Sequence, residues 1–338
     1  MKIALDAMGG DHAPREIVRG AWELCRETGQ KVILVGDQEI LNKELELLGS
    51  CNGLEVFHAP EVISMDEAPA TAVRRKKNAS VVIAAELVRS GEASAMVSAG
   101  STGATMAAAL LRLGRIKGID RPAIASVLPV EQGITILLDV GANVDCKPKN
   151  LLQFAIMGSL YAQKILGIPS PKVGLVNVGE ESSKGNELTL GTYPLLADSG
   201  LNFYGNIEGR DVFHGSVDVA VCDGFVGNVV LKTGEGLAAA LMNMIKKELQ
   251  QSGIARLGAV LSLPALKNLK RRLDYSEYGG APLLGVNGVA IVCHGSSKEL
   301  AIKNALIRAK ESVDTGLINA ISDSLVSQAR EVDIADGR

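Results

Sequence analysis

Aromatic side chains make up only 3% of this 338-residue sequence, which holds a single tryptophan, so the core it builds must be aliphatic. Histidine occurs four times, and no group of histidines and cysteines has the spacing of a zinc site. The five cysteines (Cys25, Cys51, Cys146, Cys222 and Cys293) are odd in number and scattered, without a C-x-x-C pair. They read as small buried hydrophobes in a reducing cytoplasm. A dominant charge is missing too: 35 basic residues against 38 acidic ones leave a net charge of −3, which argues against general nucleic-acid binding. No apolar run is long. Gly236–Ile245 and Leu257–Leu266 are ten residues each, half of the ~20 that a membrane-spanning helix needs. The opening residues, MKIALDAMGG, lack the charged and apolar regions of a signal peptide. A soluble, cytoplasmic protein is expected.

The common catalytic signatures are absent as well. No G-x-x-x-x-G-K-[ST] loop and no G-x-S-x-G elbow occurs. Gly234-Glu235-Gly236-Leu237-Ala238-Ala239 fits a loose G-x-G-x-x-A, but it falls inside a helical segment rather than at a strand end. It is therefore rejected as a dinucleotide fingerprint. Cys293 precedes His294, and neighbours on a strand point to opposite faces, so they make a poor nucleophile–base pair. No metal and no cofactor is expected.

What is present is a 47% hydrophobic chain whose apolar runs alternate with helical patterns and end in polar, glycine-rich loops. Strands are expected at Lys2–Ala7, Lys31–Val35, Leu54–His58, Ala93–Val97, Ala123–Leu128, Ile134–Val140, Lys172–Val178, Asn202–Ile207, Val217–Cys222 and Val289–Cys293. Helices fill most of the intervals. A long polar connection carries Arg74-Arg75-Lys76-Lys77, and Tyr275–Gly288 reads as a glycine-rich loop. This is an α/β pattern: a mostly parallel, doubly wound sheet with both faces covered. One domain over residues 1–316 is expected, with a helical hairpin inserted at about 237–273 and a C-terminal helix and frayed tail over 317–338.

In such sheets ligands sit beyond the carboxyl ends of strands. Six loops share that address: 8–13, 98–103, 139–145, 179–187, 223–228 and 294–297. Each is dense in small polar residues, which points to a single polar site. The stretch Ala93–Ala109 is the most telling, a strand, a glycine turn (Ser98–Gly103) and a small-residue helix. Its uncovered N–H groups and the positive end of the helix dipole can hold a phosphate without a metal. An ordinary serine-capped turn would read the same way. Lys184, flanked by Glu180, Glu181 and Glu187, is either solvated surface or a cation for phosphate or an oxyanion. Asn228 is an N-cap or an amide that orients an acyl carbonyl, and His294, Ser296 and Ser297 cap a helix or bind phosphate.

Seven motifs then stand together: D-A-M-G-G-D (Asp6–Asp11), S-A-G-S-T-G-A (Ser98–Ala104), L-D-V-G-A-N-V-D (Leu138–Asp145), K-G-N-E-L-T (Lys184–Thr189), D-G-F-V-G-N (Asp223–Asn228), Y-G-G-A (Tyr278–Ala281) and H-G-S-S (His294–Ser297). In this order and spacing they closely resemble the phosphate acyltransferase family of bacterial lipid synthesis, over about residues 1–315. Ser101 stands where the family often carries asparagine. The resemblance implies transfer of a fatty acyl group from acyl carrier protein to inorganic phosphate, the acyl phosphate then passing to a membrane glycerol-3-phosphate acyltransferase. It also implies a Rossmann-like fold akin to phosphotransacetylases and isopropylmalate-type dehydrogenases, and a homodimer. Lys184 and Asn228 match positions the family uses near its active centre.

Phosphate is itself the nucleophile in that chemistry, so the missing serine or cysteine nucleophile is no obstacle. The Ser98–Gly103 loop (Ser98, Gly100, Ser101, Thr102, Gly103) and His294, Ser296 and Ser297 are expected to bind phosphate. Lys184 and Asn228 are expected at the reacting centre, with Asp6, Gly9, Gly10, Asp11, Asp139, Asn143 and Asp223 in the surrounding loops. Leu237–Leu273, with Lys246, Lys247, Lys267, Lys270, Arg271 and Arg272, reads as a dimer-forming hairpin whose tip could rest on a membrane surface. Arg74–Lys77 is a candidate dock for the acidic carrier protein. Two other readings stay open: a phosphotransacetylase acting on acyl-CoA, and a non-catalytic lipid-pathway scaffold.

Overall fold

The apolar runs become strands of one sheet in the computed structural model of the chain, which describes residues 1–49, 51–131, 133–273 and 275–325. They are β1 (Lys2–Asp6), β2 (Lys31–Gly36), β3 (Leu54–His58), β4 (Ala95–Ser98), β5 (Ala123–Val130), β6 (Gly133–Leu138), β7 (Val173–Val176), β8 (Phe203–Ile207), β9 (Val219–Val221), β10 (Ala281–Leu284) and β11 (Val289–Val292). The helices are α1 (Arg15–Thr28), α2 (Gln38–Leu48), α3 (Pro69–Arg75), α4 (Ser80–Ser90), α5 (Thr102–Arg112), α6 (Pro148–Leu166), α7 (Glu187–Ala197), α8 (Asp211–His214), α9 (Gly224–Gln250), α10 (Gly253–Leu261), α11 (Leu263–Leu273) and α12 (Glu299–Asp314).

The sheet order is β3-β2-β1-β4-β11-β10-β5-β6-β9-β7-β8, and most neighbours are parallel. Only β11–β10, β10–β5 and β5–β6 pair antiparallel. Two parallel blocks therefore run in opposite senses on either side of β10 and β5. Register decides where their ends fall. Val292, ending β11, pairs with Ala281; Leu283 pairs with Ile124; and Leu138, ending β6, lies opposite Ala125. The carboxyl ends of both blocks thus stop near the middle of the sheet, beside residues 124–126. Their loops meet there rather than along one edge.

Period-two alternation sends neighbouring side chains to different cores. Ile3 and Leu5 of β1 pack with Ile17 and Leu24 of α1 and Ile302 of α12, while Ala4 faces Val81 and Ala85 of α4. In the other block, Ile136 and Leu138 meet Phe154 and Tyr161 of α6, and Leu137 joins the α4–α5 side. The helical stretch 317–325 belongs to the α6 side, burying Leu317, Ile321 and Leu325 at helical spacing. The tail over 326–338 lies outside the described residues.

The structure departs from the sequence reading in four places. The glycine-rich stretch Tyr275–Gly288 contains β10, a strand of four residues hemmed by Gly280 and Gly285, both at positive φ. The polar connection before α4 contains α3, begun by Pro69 at its first position. Residues 224–228 are not a loop but the first turns of α9, because Asp223 caps that helix, its Oδ1 accepting from Phe225 N–H (2.9 Å) and Val226 N–H (3.0 Å). Cys25 and Cys51 are joined in a disulfide, so the reading of all five cysteines as free is corrected. Cys25 lies in the last turn of α1 and Cys51 just before β3, and the packing of α1 over β2 and β3 closes a separation of 26 residues.

Residues 237–273 fall in the later turns of α9, in α10 and in α11. The later turns of α9 expose Leu237, Leu241 and Met244, and α10 leaves Ile254 87% exposed. Among the described residues no helix is long and apolar enough to cross a membrane. The side chain of Lys270 lies outside the described residues.

Candidate functional site

Where the two blocks meet, α5 and α9 stand apart over β5 and leave a cavity of about 600 Å³. Its floor is β5 from Ile124 to Pro129, and Met106 of α5 and Leu231 of α9 form facing walls. Val140, Val144, Phe213 and Phe225 add apolar surface, so the interior is hydrocarbon-like. One group of polar residues lies at the end nearest the strand termini: Thr102 and Gly103 at the start of α5, Gly141, Asn228 and His294. Farther along, Ser126 lines the floor and the Lys232–Glu235 ion pair (2.8 Å) lines the α9 wall.

The α5 terminus is built as the sequence implied. Ser101 is its N-cap, its Oγ accepting from Ala104 N–H at 3.4 Å, and its carbonyl takes Thr105 N–H at 2.9 Å. The N–H groups of Thr102 and Gly103 take no acceptor among the described residues and face the cavity end together with the helix dipole. Gly103 also needs its hydrogen: a Cβ there would stand 2.6 Å from Pro69 Cγ. His294 Nδ1 accepts the Ser296 N–H at 3.2 Å and lies 2.8 Å from Ser296 Oγ. An N–H can only donate, so the neutral ring carries its proton on Nε2. Ser297 is buried just before α12, with its N–H on the His294 carbonyl at 2.9 Å.

Several loop residues turn out to hold the loops rather than face the cavity. Ser98 is fully buried; its hydroxyl donates to Asp6 Oδ2 at 2.7 Å and accepts Gly100 N–H at 3.1 Å. Asp6 also accepts Met8 N–H at 3.3 Å, and burial pushes its carboxyl above the usual carboxylate range. Gly9 lies so close that a Cβ would stand 2.5 Å from Asp6 Oδ2 and 2.8 Å from Gly100 N. Asp11 N–H bonds the Gly295 carbonyl at 2.8 Å, and Gly10 adopts φ 107° beside it, joining loops 8–13 and 294–297. Asp139 plays the equivalent part in the other block. Its carboxylate accepts from the N–H groups of Ile124 (3.0 Å), Ala142 (3.2 Å) and Asn143 (2.7 Å), and burial raises its pKa against those bonds. Asn143 Nδ2 donates to Asp139 Oδ2 and to the Pro122 carbonyl, and its own carbonyl takes Gly224 N–H at 2.7 Å.

The two residues expected at the reacting centre are placed differently. Asn228 is the fifth residue of α9, exposed to the cavity, and its amide bonds no other described residue. Lys184 is exposed on the loop after β7 and does not line the cavity; that loop is held by Asn177 Nδ2 on the Lys184 carbonyl (3.0 Å) and Asn206 Nδ2 on the Glu181 carbonyl (2.8 Å). Because β7 pairs with β9, the Lys184 loop emerges beside Asp223–Asn228. Of the six loops, four line the cavity, loop 8–13 supports them from behind, and loop 179–187 stands at the side.

The basic run is half neutralised. Arg75 and Lys76 both reach Glu67, at 3.0 and 2.6 Å, while Arg74 and Lys77 are exposed. The Lys76 hydrogen bond holds the Glu67 carboxyl down at about 2. Among the described residues no group of three or more His, Cys, Asp or Glu side chains is arranged to hold a metal ion. Cys293 lines the cavity, but burial pushes its thiol up to about 12. It carries no thiolate at neutral pH. Cys293→Ala is therefore expected to keep turnover within a few-fold of the parent, checked by steady-state kinetics; a dead but folded variant would restore a cysteine nucleophile.

Sequence reasoning missed the apolar lining, above all Phe213 and Phe225. The signal was there in retrospect: these are two of only five phenylalanines, and Gly234 stands inside α9 beside one of them.

Comparison with known proteins completes the picture. A family model described as a fatty acid synthesis protein matches residues 1–320. A phosphate acyltransferase of Pelotomaculum thermopropionicum is 63% identical over 327 residues, covering 97% of this chain and 96% of its own length. One from Heliobacterium modesticaldum is 58% identical over 334 residues, covering 98% and 100%. Among solved structures, a phosphotransacetylase from Streptococcus pyogenes superposes with a TM-score of 0.65 at 19% identity, over 93% of this chain and 94% of that one. A 4-hydroxythreonine-4-phosphate dehydrogenase from Klebsiella pneumoniae gives 0.54 at 13% identity, over 92% and 99%. Those two likenesses speak for the fold alone.

Proposed function

Because this chain belongs to the fatty acid synthesis protein family of phosphate acyltransferases, we propose that its cavity receives a fatty acyl chain delivered as a thioester on acyl carrier protein. The chain is an acyltransferase that moves an acyl group to phosphate for phospholipid synthesis. One observation carries the detailed reading: a hydrocarbon-lined cavity whose polar end holds unpaired N–H groups and an amide. Such a site fits an apolar chain with a reactive, anion-attacked carbonyl at one end.

In the proposed reaction a phosphate oxygen attacks the thioester carbonyl, and the tetrahedral oxyanion collapses with loss of the carrier thiolate. The C–O bond to phosphate forms in the attack, the C–S bond breaks in the collapse, and the thiolate takes a proton from the medium. A thiol ordinarily ionises near pH ~8.5, so the thiolate leaves without strong acid assistance. The N–H groups of Thr102 and Gly103, and the side chains of His294 and Ser296, are assigned to phosphate. Asn228 aligns the carbonyl, and Lys184 swings in from its loop to neutralise charge. Ser98 and Gly100 contribute by shaping the turn.

Partners follow from the surfaces. Arg74 and Lys77, free of Glu67, are the cations offered to the acidic carrier protein. The apolar arm of α9 to α11 is assigned to a second copy of the chain, and its tip to transient contact with a membrane surface, where a membrane acyltransferase would take the acyl phosphate.

The test is release of carrier thiol from palmitoyl-acyl carrier protein with and without inorganic phosphate, with mass spectrometry of the product. Phosphate-dependent release with acyl phosphate formed is expected. Release from acyl-CoA but not from the carrier protein would replace the donor. No release from either, with folded protein, would overturn the catalytic reading in favour of a scaffold.

A further inference from the structure

From the way α8 bridges floor and wall of the cavity, we infer that Phe213 is the distal stop that gauges acyl-chain length. The inference rests on the acyl-transfer reading above. The Phe213 carbonyl accepts Glu131 N–H at 3.2 Å, which fixes α8 to the chain just beyond the end of β5. Its ring reaches across to α9, where a Cβ on Gly234 would stand 2.7 Å from Phe213 Cζ. The ring thus closes the gap between the strand that floors the cavity and the helix that walls it.

The position is at the far end from Thr102, Asn228 and His294, where the charged heads of Lys232 and Glu235, beside Gly234, are paired with each other. Ile124 lies beside Asp139 and Val140, at the polar end, and the floor runs on to Pro129. Five residues of strand cover about 17 Å. Along α9, Gly224 to Gly234 covers about 15 Å. Both paths end at Phe213. Ala238, one turn beyond Gly234, is the last lining residue on α9 and offers only a methyl group there. With carbon–carbon bonds of about 1.5 Å in a zigzag, this depth holds an extended chain of roughly a dozen carbons.

Gly234 is the cost the helix bears for this arrangement. A glycine inside a helix destabilises it by roughly 0.5–1 kcal/mol against alanine, and nothing in hydrogen bonding requires one here. The aromatic ring does. Phe213 is 36% exposed, so it closes the cavity without being locked into the core, and its replacement leaves the cores intact.

The experiment measures kcat/KM for acyl carrier protein thioesters of eight to eighteen carbons, with the parent, Phe213→Ala and Phe213→Trp. Phe213→Ala is expected to raise the ratio of the longest to the twelve-carbon chain roughly tenfold, and Phe213→Trp to lower it by a similar factor, since a methylene or two in an apolar pocket discriminates on that scale. Thermal unfolding of the three proteins reports proper folding independently of turnover. Superimposable chain-length profiles, with the parent active, would overturn the gauge and leave the acyl-transfer reading standing. A parent inactive on every chain would overturn that reading itself.

Discussion

Gly227→Ala is expected to lower stability by about 3 kcal/mol and to remove most of the turnover, although alanine is the better helix former. A Cβ at position 227 would stand 1.9 Å from the Asp139 carbonyl oxygen and 3.0 Å from Cys222 Sγ. Backbone, not a pliable side chain, blocks it. The Asp139 peptide cannot retreat, since its N–H is on the Cys222 carbonyl (3.1 Å) and its carboxylate is held by three backbone N–H groups. The helix must therefore lift from loop 139–145, and that lift moves Asn228 in the very next position. Gly236→Ala is the matched comparison. It lies in the same helix with open space around its missing Cβ, and is expected to be neutral or to stabilise by roughly 0.5–1 kcal/mol. Thermal unfolding and turnover of the two variants check this. Equal behaviour would mean that the α9 terminus is not wedged against Asp139.

That wedge also shows what was and was not legible in the sequence. The β-branched runs marked the strands, and a cap such as Asp37 is legible in the same way because it is a local event: its carboxylate accepts N–H groups two and three residues ahead. The opposed sense of the two blocks could not be read, because it turns on the antiparallel pairing of β5 with β6 (the two antiparallel pairings of β10 cancel), and the apolar runs that mark strands carry no sign of direction. Without that reversal six loops look like one polar site. With it, their supporting residues divide. Asp6 and Ser98 in one block, and Asp139 and Asn143 in the other, spend their polar groups on loop backbone, and the space left between the blocks is lined by hydrocarbon. Polar residue types in a loop do not reveal which atoms are already satisfied. The disulfide was hidden for a related reason, since only the packing of α1 on β3 brings Cys25 to Cys51.

Asn228→Ala should lower kcat by about a hundredfold, the usual loss when one donor to a developing oxyanion is removed, with little change in stability. The separation follows from where Asn228 stands. Asp223 caps α9, so truncating Asn228 breaks no cap, and its amide has no described partner in the protein to lose. Its neighbour across the gap is Gly141, where a Cβ would lie 3.7 Å from Asn228 Oδ1, leaving the amide free to turn toward a ligand. Lys184→Met tests a different geometry. Lys184 reaches the centre only if the loop after β7 carries it there, so its loss should depress kcat at least tenfold while leaving the unfolding midpoint in place. A loop cation acting on phosphate charge also predicts a weaker dependence on phosphate concentration in the variant, which a purely structural lysine does not. Full turnover in Lys184→Met together with a crippled Asn228→Ala would place the chemistry at the α5 and α9 termini alone, with loop 179–187 outside it. Loss in both, non-additive in the double variant, is the expected outcome, because two groups that act on one oxyanion cannot be removed twice.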